Sequence, residues 1–423
     1  APTGAYPQGG VSLRRPGCGF NRDDLSTPEI KRDHAVKITK VEGIQSAAPI
    51  TDQRGNRRNF VYVKIETDEG ITGWGESTCG PLIVAGMVDE IGATLIGKDP
   101  HRIEEHWQRL YHLYHNVRGG VIQMAAISGI EIALWDIKGK ALGVPVYELL
   151  GGAMRDKIWT YGRWDGATPE ECVEHALREV ATGLTALKGD PFGHQGLFSS
   201  VQSERDAVAK LKAVREAVGD DIELLVEAHG RLAPAAAIRV GLAIEEYRPF
   251  VFEEVVPPQN VAAMKRVADA INVPLATGER LYTKWEFTDL LEQQVVAMIQ
   301  PDIGHAGGIL ELKKIAAMAE AHYVGFQPHN PYGPVNSMAA LQVDACTPNF
   351  MIQEGGHGNW FDQVVIGEFP KQKDGFFDLP TGPGIGIEMD EAVLRANPPV
   401  ENITPEGYAR AAYWPSMQQT EWA

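Results

Sequence analysis

The chain has 423 residues, 44% hydrophobic and 22% charged, too long for one small domain and ample for the core of a globular enzyme. Acidic residues outnumber basic ones by 56 to 39, for a formal net charge of −17. That sign repels phosphate backbones and anionic lipid, which argues against nucleic acid and membrane partners; an anionic substrate would need a cation in the site to reverse the field locally.

Residues 1–33 are rich in Gly, Pro and Arg, show no period, and read as an N-terminal arm. From Ala35 the alternation in AVKITKVEGI and NFVYVKIETDEGITGWGE predicts strands, with Asp68-Glu69-Gly70 as a hairpin turn. Apolar residues at helical spacing predict helices over Leu82–Ile96, Ile103–Tyr114 and Val121–Leu142, the last followed by Gly143. Strands followed by helices make an α+β domain over 34–153.

From Ile158 the rhythm becomes a strict alternation of strand and helix. Strands are predicted over Trp159–Trp164, Ala186–Asp190, Ile222–His229, Phe250–Val255, Pro274–Glu279, Ala297–Ile303, Val324–His329 and Phe350–Glu354. Seven of the eight are followed by helical patterns, such as Pro169–Thr182, Asp206–Val218 and Ile309–His322. The fold class expected is α/β, a (β/α)7β TIM-like barrel over 154–380 with an N-terminal α+β capping domain. After the Gly- and Pro-rich DLPTGPGIGI, residues 381–423 are expected to return to the capping domain.

Sites in such barrels lie where the strands end. Glu227, Glu253 and Glu279 close successive predicted strands, and Asp302 closes the next. Three converging carboxylates repel one another and raise each other's pKa. A hard divalent cation, most simply one Mg²⁺, relieves that repulsion. Any one of the glutamates alone is better read as a solvated or salt-bridged group; their even spacing favours the metal. His229, two residues after Glu227, shares its face if both are extended and would be available as an acid, although alone it is better read as structural. Asp302 and His329, on neighbouring strands, are expected to hydrogen-bond, fixing the tautomer and leaving one ring nitrogen as a base. Glu354 is expected to have a raised pKa and to donate a hydrogen bond, with a rim charge as the alternative. Lys188 could bind a carboxylate and Asp190 hydroxyls, although a solvated loop carboxylate is the stronger reading of Asp190.

The four cysteines, Cys18, Cys79, Cys172 and Cys346, are scattered without a CxxC pair, which fits neither a zinc framework nor a disulfide scaffold. No apolar run approaches a membrane span and residues 1–30 hold no signal-peptide core, so a cytoplasmic protein is expected.

The sequence resembles the enolase superfamily, in its mandelate racemase-like subgroup, and looks most like the sugar-acid dehydratases there, such as galactonate dehydratases. The resemblance spans roughly residues 34–390. It rests on AAISGIEIALWDIKGKALGVPVYELLGG from Ala125 to Gly152, EAHGR from Glu227, FEE from Phe252, GER from Gly278, QPD from Gln300 and the segment around His329. The resemblance implies that Glu227, Glu253 and Glu279 bind Mg²⁺, which the substrate carboxylate chelates. It implies that His329, oriented by Asp302, takes the α-proton, that Glu354 hydrogen-bonds the ene-diolate oxygen, and that His229 protonates the departing β-hydroxyl to leave a 2-keto-3-deoxy acid. Cap loops near Ile50–Arg57 and Thr78–Leu82 would help select the substrate. Racemases of the subgroup carry Lys-x-Lys after the second strand, where this chain has Lys188 and Asp190, which argues for a one-base elimination. Related dehydratases with the HGR motif often have Asp where Glu227 stands.

The function expected is Mg²⁺-dependent dehydration of an aldonic or related sugar acid. The alternative is a cycloisomerase or epimerase working through the same enolate, for example on an anhydro sugar acid; a non-catalytic sugar-acid sensor is disfavoured by the complete set of ligands, base and acid. A small-molecule sugar acid and further copies of the chain are the expected partners.

Overall fold

The computed structural model describes residues 36–50, 57–116, 118–193, 197, 199–355 and 360–400. The expected arm, most of the loop Ile50–Arg57 and the last 23 residues lie outside them. Three antiparallel strands come first: β1 (Ile38–Ala47), β2 (Asn59–Thr67) and β3 (Thr72–Ser77), in the order β1-β2-β3. Asp68-Glu69-Gly70 does turn the hairpin, with Gly70 at φ 78°. Helices Pro81–Gly92 and Ile103–Leu113 follow, and then Val121–Leu142, whose bounds are those the sequence predicts. This last helix is buried on nearly every face, which is why it is rich in small residues. Gly75 of β3 meets it so closely that a Cβ would lie 1.8 Å from the Gly129 carbonyl oxygen.

Eight parallel strands then form the barrel: β4 (Lys157–Arg163), β5 (Ala186–Gly189), β6 (Glu223–Glu227), β7 (Val251–Glu253), β8 (Leu275–Thr277), β9 (Met298–Ile299), β10 (Gly325–Phe326) and β11 (Gln353–Glu354). β11 pairs with β4, and a parallel bridge from Phe326 to Phe350 joins the seventh strand to the eighth, closing the ring. A helix follows each of the first seven strands, so the fold is the (β/α)7β barrel with an α+β cap. Seven of the eight strands are shorter than predicted, and β4 alone is longer, by one residue. The second barrel helix, Val201–Val218, starts five residues earlier than the sequence suggests because Ser200 caps it, accepting from the Ser203 N–H.

Inside the barrel the side chains are layered. Tyr161, Ala186, Leu225, Val251, Ala276, Met298 and Ile352 fill the floor. Two residues further along, the same inward direction brings Arg163, Lys188, Glu227, Glu253 and Glu354 to the mouth. β12 (Phe376–Asp378) pairs antiparallel with the start of β4, and helix Glu391–Ala396 returns to β1, where Ser46 Oγ donates to the Leu394 carbonyl at 3.0 Å. Among the described residues no helix is long and apolar enough to cross a membrane.

Cap and barrel share buried polar groups. Helix Ile309–Ala321 begins at Gly308, which has no side chain to cap it. Glu131 of the cap supplies the acceptors, taking the Ile309 N–H at 2.7 Å, the Leu310 N–H at 3.0 Å and the Trp135 indole N–H at 2.7 Å. Replacing Glu131 with Ala orphans these buried donors and is expected to destabilise the protein by about 2–4 kcal/mol, with Gln recovering part of the loss. Urea denaturation measures this; a change below about 0.5 kcal/mol would mean that the junction is held elsewhere.

Candidate active site

Glu227 and Glu253 end adjacent strands and face each other in register. Glu279 follows β8 through Gly278, whose φ of 144° is open to glycine and turns the chain inward. Carboxylate oxygens of all three lie within 4.8 Å of one another. The donor set is hard oxygen from three converging carboxylates, which fits a divalent cation such as Mg²⁺. Burial raises the Glu253 carboxyl, Glu227 raises it further, and Lys188 offsets part of the rise.

Lys188 lies on the protein's own acids: its Nζ is 2.9 Å from Glu253 Oε1, 3.5 Å from Glu227 Oε2 and 3.6 Å from Glu354 Oε1. Asp190 is engaged too, accepting from His229 Nδ1 at 2.8 Å and from the Arg231 guanidinium. His229 is not placed by strand alternation, as the sequence suggests. The strand ends at Glu227, and His229 sits in the left-handed region at φ 48°. The Glu227 carboxylate accepts its backbone N–H at 2.6 Å, a bond that ties down the longer acidic arm. Burial lowers the His229 ring, but Glu227, Asp190 and Glu279 push it up to about 9.

The Asp302–His329 pair forms as expected. Asp302 and His329 make a parallel bridge, and His329 Nδ1 donates to Asp302 Oδ2 at 2.6 Å. The other ring nitrogen, Nε2, lies 3.3 Å from Glu279 Oε2, so it faces the triad. Burial acts against the charged ring, yet Glu279, Glu354 and Asp302 together push it up to about 10.

Glu354 departs from the sequence expectation. Burial does push its carboxyl up, but Lys188, His329, Arg163 and the Asn330 N–H pull it far below the usual range. It accepts from Asn330 N at 2.9 Å and stands 3.3 Å from Arg163 Nη2, so it is a carboxylate and an acceptor. Acidic neighbours and burial alone would raise this carboxyl; Lys188, His329 and Arg163 beside it reverse the direction.

Two regions of the chain match known family models: residues 35–151 match the Mandelate racemase / muconate lactonizing enzyme, N-terminal domain, and residues 171–393 match Enolase C-terminal domain-like. The chain belongs to the enolase superfamily. It is 43% identical over 356 residues to a D-galactonate dehydratase of Variovorax paradoxus, covering 80% of this chain and 92% of that protein. A D-galactonate dehydratase of Xanthomonas euvesicatoria is 41% identical over 357 residues, with the same coverage. Among solved structures, a mandelate racemase/muconate lactonizing enzyme from Sulfitobacter is 39% identical with a TM-score of 0.82, covering 87% of this chain and 96% of that one. An enolase superfamily member from Salmonella Typhimurium is 37% identical with a TM-score of 0.80, covering 86% and 98%.

This superfamily member also places residues at the site that sequence reasoning missed. His305 is buried beside the triad, its Nε2 donating to the Glu279 carbonyl at 2.6 Å and its Nδ1 bonded to Thr78 Oγ1 of the cap at 2.7 Å. Arg280 forks onto Glu254 at 2.8 and 2.7 Å and packs over Gly230. Arg163 lies in Gly-Arg-Trp-Asp, which resembles no strand-end motif, although its inward parity with Tyr161 is countable.

A cation bound by the triad must displace any proton held on Glu253. Because that carboxyl is raised, it is protonated at lower pH and ionised at higher pH. Mg²⁺ affinity is therefore expected to rise between about pH 6 and pH 8, with proton release. Calorimetry in buffers of different ionisation enthalpy measures both; a flat profile would contradict this. Glu253→Gln is expected to weaken binding at least about tenfold.

Proposed function

We propose that this protein is a Mg²⁺-dependent dehydratase of an aldonic or related sugar acid, removing the proton α to the carboxylate and the β-hydroxyl to give a 2-keto-3-deoxy acid. The observation that carries the reading is the pair of imidazoles flanking the glutamate triad, each with Nδ1 on an aspartate: His329 on Asp302 and His229 on Asp190. Similarity of about 40% to proteins named D-galactonate dehydratase supports the same class, a carbon–oxygen lyase.

A divalent cation held by Glu227, Glu253 and Glu279 supplies positive charge next to the substrate carboxylate, which makes the adjacent C–H acidic. His329 accepts that proton at Nε2, the nitrogen facing the triad, while Asp302 holds Nδ1–H and stabilises the imidazolium. His229, with Asp190 favouring its charged form, gives its proton to the departing β-hydroxyl, so the C–O bond breaks with water as leaving group. The enol that remains ketonises to the 2-keto acid. Glu354 is read as an ionised acceptor that anchors Lys188 and Arg163.

Two imidazoles with different duties give separable variants. His329→Asn is expected to reduce turnover by roughly three orders of magnitude while leaving sugar-acid binding intact. His229→Gln is expected to lose keto-acid formation but still exchange the substrate α-proton with deuterium from solvent. Semicarbazide detection of keto acid and NMR detection of exchange, over a stereochemically complete panel of sugar acids with Mg²⁺, check both. Isomer formation without new keto acid would overturn dehydration, and near-normal turnover by His329→Asn would remove the base.

A further inference from the structure

Arg163 ends β4, on the same inward face as Tyr161 of the barrel floor. Its neighbours confirm the direction by contrast. A Cβ on Gly162 would meet Glu179 and Leu184 of the outer layer, and Trp164 is fully buried, with its Nε1 on the Leu225 carbonyl at 3.2 Å. Arg163 thus stands at the barrel mouth with a side chain 41% exposed. Among the described residues its guanidinium has one hydrogen-bond partner, Glu354 Oε1 at 3.3 Å. A guanidinium has five N–H donors, so most of this one is available to a ligand. Lys188 differs: it is 3% exposed and wholly taken up by Glu253, Glu227 and Glu354.

The strand order fixes where such a ligand oxygen would lie. In the ring β4 is four strands from β8 in either direction, across the barrel from Glu279. A sugar acid whose carboxylate sits by the triad runs its carbon chain away from strands β6 to β8. We propose that Arg163 is a substrate-binding specificity residue that holds an acceptor oxygen on the fifth or sixth carbon of the chain, a hydroxyl or a second carboxylate. This rests on the sugar-acid reading of the site and adds to it a selection for chain length. An arginine fork gives its strongest bonds to oxygen acceptors that carry charge, and a hydrogen bond to a charged group contributes enough to change affinity by tenfold or more.

The test compares four-, five- and six-carbon aldonic acids and six-carbon aldaric acids on the wild type, Arg163→Met and Arg163→Lys, with Mg²⁺ present. Binding is followed by calorimetry and turnover by keto-acid formation. Arg163→Met is expected to weaken binding of six-carbon acids at least about tenfold, mostly in KM, and that of four-carbon acids by less than about threefold, with Lys recovering part of the loss. A larger loss for aldaric than aldonic acids identifies a second carboxylate as the partner; equal losses identify a hydroxyl. An equal loss at every chain length, or none at any, would overturn the proposal, the former marking Arg163 as a support for Glu354. If no acid is turned over but the chain-length dependence of binding survives, the dehydratase reading fails and the role of Arg163 stands. Thermal melts of both variants show that the comparison is made on folded protein.

Discussion

Everything at the mouth of this barrel is arranged around the mutual repulsion of three glutamates. With oxygens within 4.8 Å of one another, each ionised pair costs roughly 3 kcal/mol at an effective dielectric near 20. The protein offsets part of that from its own sequence. Lys188 stands in the same layer as Glu227 and Glu253 and bonds Glu253, and the His229 N–H bonds Glu227. What the protein leaves uncompensated is the affinity of the site for a divalent cation. Strand order makes the crowding unavoidable, since Glu227 and Glu253 are register partners on paired strands.

That residual negative charge sets the state of the two imidazoles. Both rings are buried enough to resist protonation, yet both are raised, because each sees carboxylates on two sides. For His329 one of those is Glu279, itself a member of the triad. A cation drawn to Glu279 would take up the charge that otherwise holds a proton on His329, so cation binding and the protonation of that ring would be coupled through one carboxylate. His229 is tied to the triad through Glu227 and Glu279 and has a further partner in Asp190, which it shares with Arg231.

The sequence made the strand–helix alternation legible because 20-odd-residue periods and inward acids at strand ends are countable. Helix Val121–Leu142 was readable to the residue, with Gly143 at φ 72° as its stop. The Asp302–His329 pair could also be anticipated, since both close adjacent strands. What could not be read were features that depend on side chains arriving from strands distant in sequence, or on a left-handed non-glycine residue. His229 points as it does through a left-handed residue that no period encodes. Glu354 is ionised because Arg163 and Lys188 arrive from strands distant in sequence. His305 follows Gly304 in a stretch with no motif, and only its bonds to Glu279 and Thr78 mark it.

The cap does more than cover the mouth, because it grips the segment that carries His329. Glu76 of β3 is fully buried and accepts the Gly333 N–H at 2.7 Å and the Asn336 N–H at 3.1 Å, at the start of helix Pro334–Ala345. Arg58, just before β2, donates to the Pro331 carbonyl and lies 4.9 Å from the centre of the Tyr332 ring. Tyr332 in turn meets His329 edge-on, with ring centres 5.9 Å apart. Two cap residues therefore fix the turn whose tyrosine backs the imidazole, while Asp302 fixes the opposite edge. An imidazole held on one side by its aspartate alone could still pivot about that bond; packing by Tyr332 removes that freedom, so the cap sheet is part of what aims the His329 ring at the triad.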